Sequence, residues 1–98
     1  MSKVSSPAVK LIEEGDELIV KQMKADAGQL LPKHKASDES VIVICEGKCI
    51  MKFPETEHLL EEGESIIIPT NVWHQILVKQ DFRALHIMPK GIQFEFTN

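Results

Sequence analysis

The sequence has little cysteine and no long hydrophobic segment. Two cysteines among 98 residues are too few to stabilise a small secreted domain through disulfides, and in a reducing compartment they remain thiols. The longest aliphatic run is VIVI at 41–44, followed by Cys45, which is far shorter than the roughly 20 residues of a membrane-spanning helix. The opening segment, MSKVSSPAVKL, also lacks the continuous apolar core of a secretory signal. We therefore expect a soluble, cytoplasmic protein without a membrane partner.

Positive charge is also scarce. Eleven lysines and arginines stand against fifteen acidic residues, which gives a formal net charge of −4. The longest basic cluster is the short segment KHK at 33–35, whereas nucleic-acid-binding domains present an extended basic face. We therefore expect no nucleic-acid partner. Hydrophobic residues make up 43% of the chain, which is enough to build the core of one small domain spanning residues 1–98.

The remaining pattern predicts an all-β protein. Short runs with period-two alternation and many β-branched residues are separated by turn residues, which is typical of consecutive antiparallel strands in a sandwich or barrel. We predict eight or nine strands. The predicted segments are 17–24, 29–31, 40–45, 49–53, 57–60, 65–68, 74–79, 82–88 and 92–96.

The N-terminal segment is the one candidate for helical structure. Ser6 could cap a helix, and Pro7 suits the first helical position, so a short helical turn could run through AVKLIEE and end at Gly15. A strand over the same residues is the alternative.

The sequence CEGKC predicts a hairpin with a two-residue turn at 46–47. In that register Cys45 and Cys49 face opposite sides of the sheet, so we expect no disulfide between them. Cys49 would share the inward face with Ile42 and Ile44, because this register separates charged from apolar side chains.

Two spaced motifs carry a family resemblance. The first reads GQLLPKHKASDESVIVICEG and matches a pattern of Gly, five residues, His-x-His, three or four residues, Glu, six residues and Gly. Gly28, His34 and Gly47 occupy their positions in this pattern. Ala36 replaces the second histidine, and Ser40 replaces the glutamate.

The second motif reads GESIIIPTNVWHQILV and matches a pattern of Gly, five residues, Pro-x-Gly, two residues, His, three residues and Asn. Gly63, Pro69 and His74 fit, whereas Asn71 replaces the second glycine and Val78 the asparagine. Asparagine is among the few residues that tolerate a left-handed turn. With both motif spacings kept, the chain resembles a cupin, a small jelly-roll or double-stranded β-helix barrel. The resemblance implies a barrel over about 17–96 after an N-terminal tail of about 1–7.

The resemblance also implies where a metal would lie. The usual cupin site holds a divalent transition metal with three histidines and a glutamate inside the barrel, and only His34 and His74 of those four ligands are kept. His86 is a candidate third ligand, because strand alternation points it inward, and Glu39 is another if a bulge turns it into the barrel. Since a catalytic metal usually has about three protein ligands, we expect Fe, Mn, Ni or Zn to be loosely held or absent.

In the barrel that the resemblance implies, with His34 and His74 in its lumen, the same alternation predicts a mostly aliphatic lining, which favours a small, largely apolar ligand. The predicted lining comprises His34, Ser40, Ile42, Ile44, Met51, His74, Ile76, Val78 and His86. The first hypothesis is a small-molecule-binding cupin, which by family resemblance forms a homodimer. A second is a metal-dependent enzyme, such as a dioxygenase or isomerase, with a compensating ligand. A third is an interaction module whose barrel is filled by its own side chains.

Overall fold

Eight strands form the fold of residues 4–97. The structure is a computed structural model and describes residues 4–97. The strands are β1 (Ala8–Glu14), β2 (Leu18–Ala25), β3 (His34–Ala36), β4 (Ser40–Lys52), β5 (Glu57–Glu61), β6 (Ser65–Ile68), β7 (Gln75–Pro89) and β8 (Phe94–Phe96). The all-β prediction is confirmed. Residues 4–97 contain no helix long and apolar enough to cross a membrane.

Two antiparallel sheets face each other across the interior. Six strands make the larger sheet in the order β1-β2-β7-β4-β5, with β6 also paired to β4, while β3 and β8 make the smaller sheet. Isolated antiparallel bridges from Leu30 to Leu77 and from His34 to His74 connect the chain around β3 to the start of β7. These two bridges bring together the parts of the chain that carry the two sequence motifs.

Of the two alternatives for the segment after Ser6, the strand is confirmed and the helical turn is not, because this segment is strand β1. It pairs with β2 from Ala8 opposite Lys24 to Glu14 opposite Ile19. An isolated helix of this length is marginal in water, whereas the edge of β2 pairs with the segment along its length, with one register shift between Leu11 and Glu13. All seven residues of β1 are exposed, so pairing to β2 rather than burial determines the conformation.

The predicted hairpin at 46–47 is also wrong. β4 continues through these residues and stays paired with β7, and its register shifts three times between Ile44 and Cys49. From Ile44 to Cys49, β4 advances five residues while β7 advances six, from Ala84 to Val78. This β-bulge keeps β4 continuous and changes which of its residues face inward. Gly47 has a φ of 83°, a conformation that favours glycine. As a result Ile44 and Cys49, five residues apart, are both fully buried, and both cysteines are free thiols.

The loop before His74 is held in place by the residue that departs from the second motif. Asn71 has a φ of 57°, so it adopts the left-handed conformation that the motif glycine would supply. Its backbone N–H donates to the carbonyl oxygen of Ala36 at 2.8 Å. This bond fixes the loop against β3 and delivers His74 beside His34.

Candidate functional site: a cavity with three histidines

A cavity of about 250 Å³ lies between the two sheets. Strands β2, β4 and β7 supply one wall, strands β3 and β8 supply another, and the N-terminal segment borders it. The lining residues are Ser6, Pro7, Val9, Lys21, Met23, Leu31, Pro32, His34, Ile42, His74, Ile76, His86, Met88, Phe94 and Phe96. The wall is therefore mainly apolar, with three imidazoles and one ammonium group.

His34 and His74 come together although forty residues separate them in the sequence. Each donates its backbone N–H to the carbonyl oxygen of the other, at 3.0 Å from His34 and 2.8 Å from His74. Residues paired in this way present their side chains on the same side of the sheet. The two ring centroids are accordingly 4.3 Å apart, with the ring planes at 63°.

Backbone carbonyls fix the tautomers of these two rings. Nδ1 of His34 donates to the carbonyl oxygen of Pro32 at 3.1 Å, and Nδ1 of His74 donates to that of Val72 at 2.9 Å. A carbonyl oxygen can only accept, so in each neutral ring the hydrogen is on Nδ1 and Nε2 carries a lone pair. Both rings therefore offer Nε2 as a hydrogen-bond acceptor.

Burial keeps both rings uncharged near neutral pH. Desolvation lowers the pKa of His34 below its ordinary value, although the bond to Pro32 partly opposes this. Desolvation likewise lowers the pKa of His74, with the bond to Val72 opposing and the charge of His34 adding to the effect. The pair is thus a polar but neutral element of the wall.

His86 is the third imidazole, and it is paired with Ser40. Its Nε2 lies 2.8 Å from the Ser40 hydroxyl oxygen, and the two residues are 7% and 4% exposed. Desolvation lowers the pKa of His86 to about 4, with smaller contributions from the charges of His34, His74 and Lys21. Ser40, which occupies the glutamate position of the first motif, therefore serves as the hydrogen-bond partner of a buried neutral histidine.

Aromatic side chains stand where the first motif would place its second histidine. Ala36 is 2% exposed and pairs with Phe94 between β3 and β8. The ring centroids of Phe94 and Phe96 lie 5.4 Å and 5.1 Å from that of His34. The small alanine leaves space for these rings, so this part of the wall is aromatic.

The residues present do not fit a metal centre of the usual cupin type. Within residues 4–97, no group of three or more histidines, cysteines, aspartates and glutamates is placed to hold a metal ion. Glu39 is exposed, because β4 begins in regular register with Ser40 opposite Ile68 and no bulge turns the carboxylate inward. Burial raises the pKa of Cys49 to about 11, so this thiol is protonated near neutral pH. The site therefore offers the two neighbouring imidazoles of His34 and His74, and a third, that of His86, which is hydrogen-bonded to Ser40.

Some residues predicted to line the lumen lie elsewhere. His34, Ile42, His74, Ile76 and His86 are on the cavity wall, and Ser40 bonds to His86. Three others are fully buried and are not among the residues that border the cavity. These three are Ile44, Met51 and Val78.

The sequence reasoning missed several wall residues. Lys21 and Met23 face the cavity from β2, and the alternation that identified the strand would have placed them on one face. Phe94 and Phe96 share a face of β8 by the same rule. Their position opposite the histidines follows from the pairing of β3 with β8, which a single sequence does not display.

Comparison with known proteins supports this fold. A solved cupin-2 domain containing protein from Shewanella frigidimarina is 23% identical with a TM-score of 0.78, covering 88% of this chain and 83% of that one. The salicylate 1,2-dioxygenase of Pseudoaminobacter salicylatoxidans, in complex with gentisate, is 14% identical with a TM-score of 0.82, covering 93% of this chain but 29% of that one. The DMSP lyase of Ruegeria pomeroyi is 20% identical with a TM-score of 0.82, covering 94% of this chain and 52% of that one. At these identities the likeness shows the fold alone.

A family model assigns the chain. None of the curated proteins matches the sequence, but the cupin domain model matches residues 11–88. This span contains both motifs, the paired histidines and most of the cavity wall. The chain therefore belongs to the cupin family.

Proposed function

We propose that this cupin binds a small, largely apolar organic molecule in the cavity between its two sheets, and that binding does not depend on a metal. The observation that carries the proposal is an open cavity of about 250 Å³ whose apolar wall contains the neutral pair His34 and His74. Pockets for drug-sized ligands span roughly 300–1,000 Å³, so the volume favours a smaller molecule. The two Nε2 atoms would accept hydrogen bonds from a polar group of the ligand.

The cavity argues against a barrel completely filled by its own side chains. Phe94 and Phe96 are 37% and 56% exposed, although both border the cavity. Apolar and aromatic wall groups that remain accessible gain free energy when a ligand removes them from water. An apolar ligand would be stabilised in this way without any charged partner.

The proposal predicts that narrowing the cavity abolishes binding. Met23 borders the cavity from β2, so Met23→Trp should fill part of it. Gln22→Trp, on the opposite face of the same strand, is the matched control. Calorimetric titration with a panel of monocyclic aromatic compounds and short aliphatic acids and amides should detect binding to the wild type and to Gln22→Trp but not to Met23→Trp. Binding by none of the panel, or equal binding by Met23→Trp, would contradict the proposal.

A metal-dependent enzyme is the second candidate function. The observation in its favour is the 4.3 Å separation of the ring centroids of His34 and His74, together with the two enzymes among the structural relatives. Elemental analysis of protein purified without an affinity tag tests it, with the double variant His34→Ala, His74→Ala as comparison. Near-stoichiometric iron, manganese, nickel or zinc that is lost in the double variant would favour this candidate over the first.

The homodimer implied by the family resemblance stays a prediction. Sedimentation velocity over a range of protein concentrations measures it directly, and a single species at the mass of one chain would contradict it.

A further inference from the structure

Lys21 is a cation on the wall of a mainly apolar cavity. It lies in the middle of β2, opposite His86 of β7 and opposite Leu11 of β1. Its side chain is half-buried and borders the cavity. Residues two apart on a strand share a face, and Met23 borders the same cavity. The register of β2 therefore fixes the ammonium group on this side of the sheet.

Lys21 has no carboxylate partner in the described part of the chain. The four ion pairs found among residues 4–97 use Lys35, Lys48, Arg83 and Lys90. Within residues 4–97, no aspartate or glutamate borders the cavity. A half-buried charge without a partner loses hydration and gains no compensating attraction. An anion entering the cavity would supply that attraction.

Among the described residues, the wall offers one positive charge and not several. The three imidazoles are neutral near pH 7, because burial lowers the pKa of each. Lys21 is a point charge with three donors, whereas a phosphate dianion is usually held by several donors or by an arginine fork. One compact ammonium beside apolar groups suits a singly charged carboxylate.

We propose that the ligand of the cavity is a small monocarboxylate, whose carboxylate pairs with Lys21 while its apolar body lies against Phe94, Phe96 and the aliphatic wall. This inference rests on the proposed function and specifies the class of ligand. The Nε2 atoms of His34 and His74 are acceptors, so they repel a second carboxylate and favour a hydroxyl or amide donor on the ligand.

Matched acid and amide pairs test this inference. Benzoate with benzamide, and hexanoate with hexanamide, differ in charge but hardly in shape. We expect the wild type to bind each acid about tenfold or more tightly than its amide, because a charge-assisted hydrogen bond is stronger than a neutral one. Lys21→Met should remove this preference and leave amide binding in place. Lys24→Met, at an exposed position on the opposite face of β2, should behave as the wild type.

The outcomes separate this inference from the proposed function. If acids and amides bind the wild type equally, or if Lys21→Met keeps the preference for acids, the carboxylate inference is overturned while ligand binding in the cavity stands. If no acid and no amide binds the wild type, both proposals are overturned. Calorimetric titration at pH 7.5 and low ionic strength gives the affinities, because screening by salt weakens a partly exposed charge pair.

Discussion

At the scale of the residue, the hydrogen bond between His86 and Ser40 determines what the third imidazole can do. The two side chains lie 2.8 Å apart and are nearly inaccessible to solvent. Within residues 4–97, no buried side-chain nitrogen or oxygen lacks a hydrogen-bond partner, so this pair is part of a fully satisfied polar interior. The glutamate of the family motif would bring a charge to this position, whereas the serine brings a neutral hydroxyl.

Removing both partners of this bond should cost less than the sum of the costs of removing each alone. Ser40→Ala leaves the buried His86 nitrogen unpaired, and we expect the free energy of unfolding to fall by about 1–3 kcal/mol. The double variant Ser40→Ala, His86→Leu removes both polar groups, so its loss should be smaller than the sum of the two single losses. Urea unfolding at pH 7.5 measures the free energy of unfolding of Ser40→Ala, of His86→Leu and of the double variant, with Ser65→Ala on the exposed face of β6 as the control. Additive losses would contradict the pairing.

At the scale of the element, the bulge in β4 shows what the sequence could and could not predict. The motif spacing correctly indicated the cupin fold, because spacing between fixed residues reflects strand lengths and turns. The choice between a turn and a bulge at Gly47 depends on the partner strand. β7 runs unbroken for 15 residues beside β4, and this pairing across the barrel overrides the local preference of CEGKC for a turn.

In the candidate site, too, local patterns predicted less than the pairing of distant strands determines. The motif resemblance implied that His34 and His74 face inward, and alternation, a local property of a strand, predicted the same for His86. The positions of Lys21 and Phe94 beside them depend on which strands are neighbours, and that depends on contacts between distant parts of the chain. Local patterns therefore identify the polar residues of the site, but not the groups that determine which ligand it selects.

Replacing Gly47, the glycine at the bulge of β4, should destabilise the fold. Besides its positive φ, a Cβ at this position would collide with the carbonyl oxygen of Asp81 on the neighbouring strand. We expect Gly47→Ala to lower the free energy of unfolding by about 3 kcal/mol or more, because backbone strain and a steric clash add. Gly91→Ala is the matched control, since a Cβ there meets nothing within 4 Å. Equal urea midpoints for the two variants would contradict the role of the bulge.

At the scale of the whole molecule, the buried imidazoles link stability to pH. His86 faces His34, His74 and Lys21, and each of their charges lowers its pKa further below the ordinary value. No acidic group borders the cavity in the described residues, so no carboxylate on this wall stabilises an imidazolium. Protonating the interior therefore places like charges together in a poorly hydrated space.

The sign of the pH dependence follows from the direction of this shift. The pKa of His86 falls from 6.5 to about 4 on folding, so the unfolded chain binds more protons between these values and stability decreases as the pH falls. The contribution is complete above pH 6.5 and lost as the pH approaches 4. For His86 alone we expect the free energy of unfolding to drop by about 2 kcal/mol from pH 7.5 to pH 5, and the lowered pKa values of His34 and His74 act in the same direction.

Urea unfolding at pH 7.5, 6 and 5 measures this dependence, since most carboxylates remain ionised over that range. His86→Gln keeps a polar side chain but removes the titrating group, so the loss of stability at pH 5 should become smaller. His58→Gln is the control, because His58 is an exposed histidine and its replacement should leave the pH dependence unchanged. If the free energy of unfolding of His86→Gln falls with pH as steeply as that of the wild type, the acid sensitivity arises from groups other than His86. A smaller loss of stability in His86→Gln would show that burial keeps His86 uncharged near neutral pH, so that Lys21 supplies the positive charge that an anionic ligand would meet on this wall.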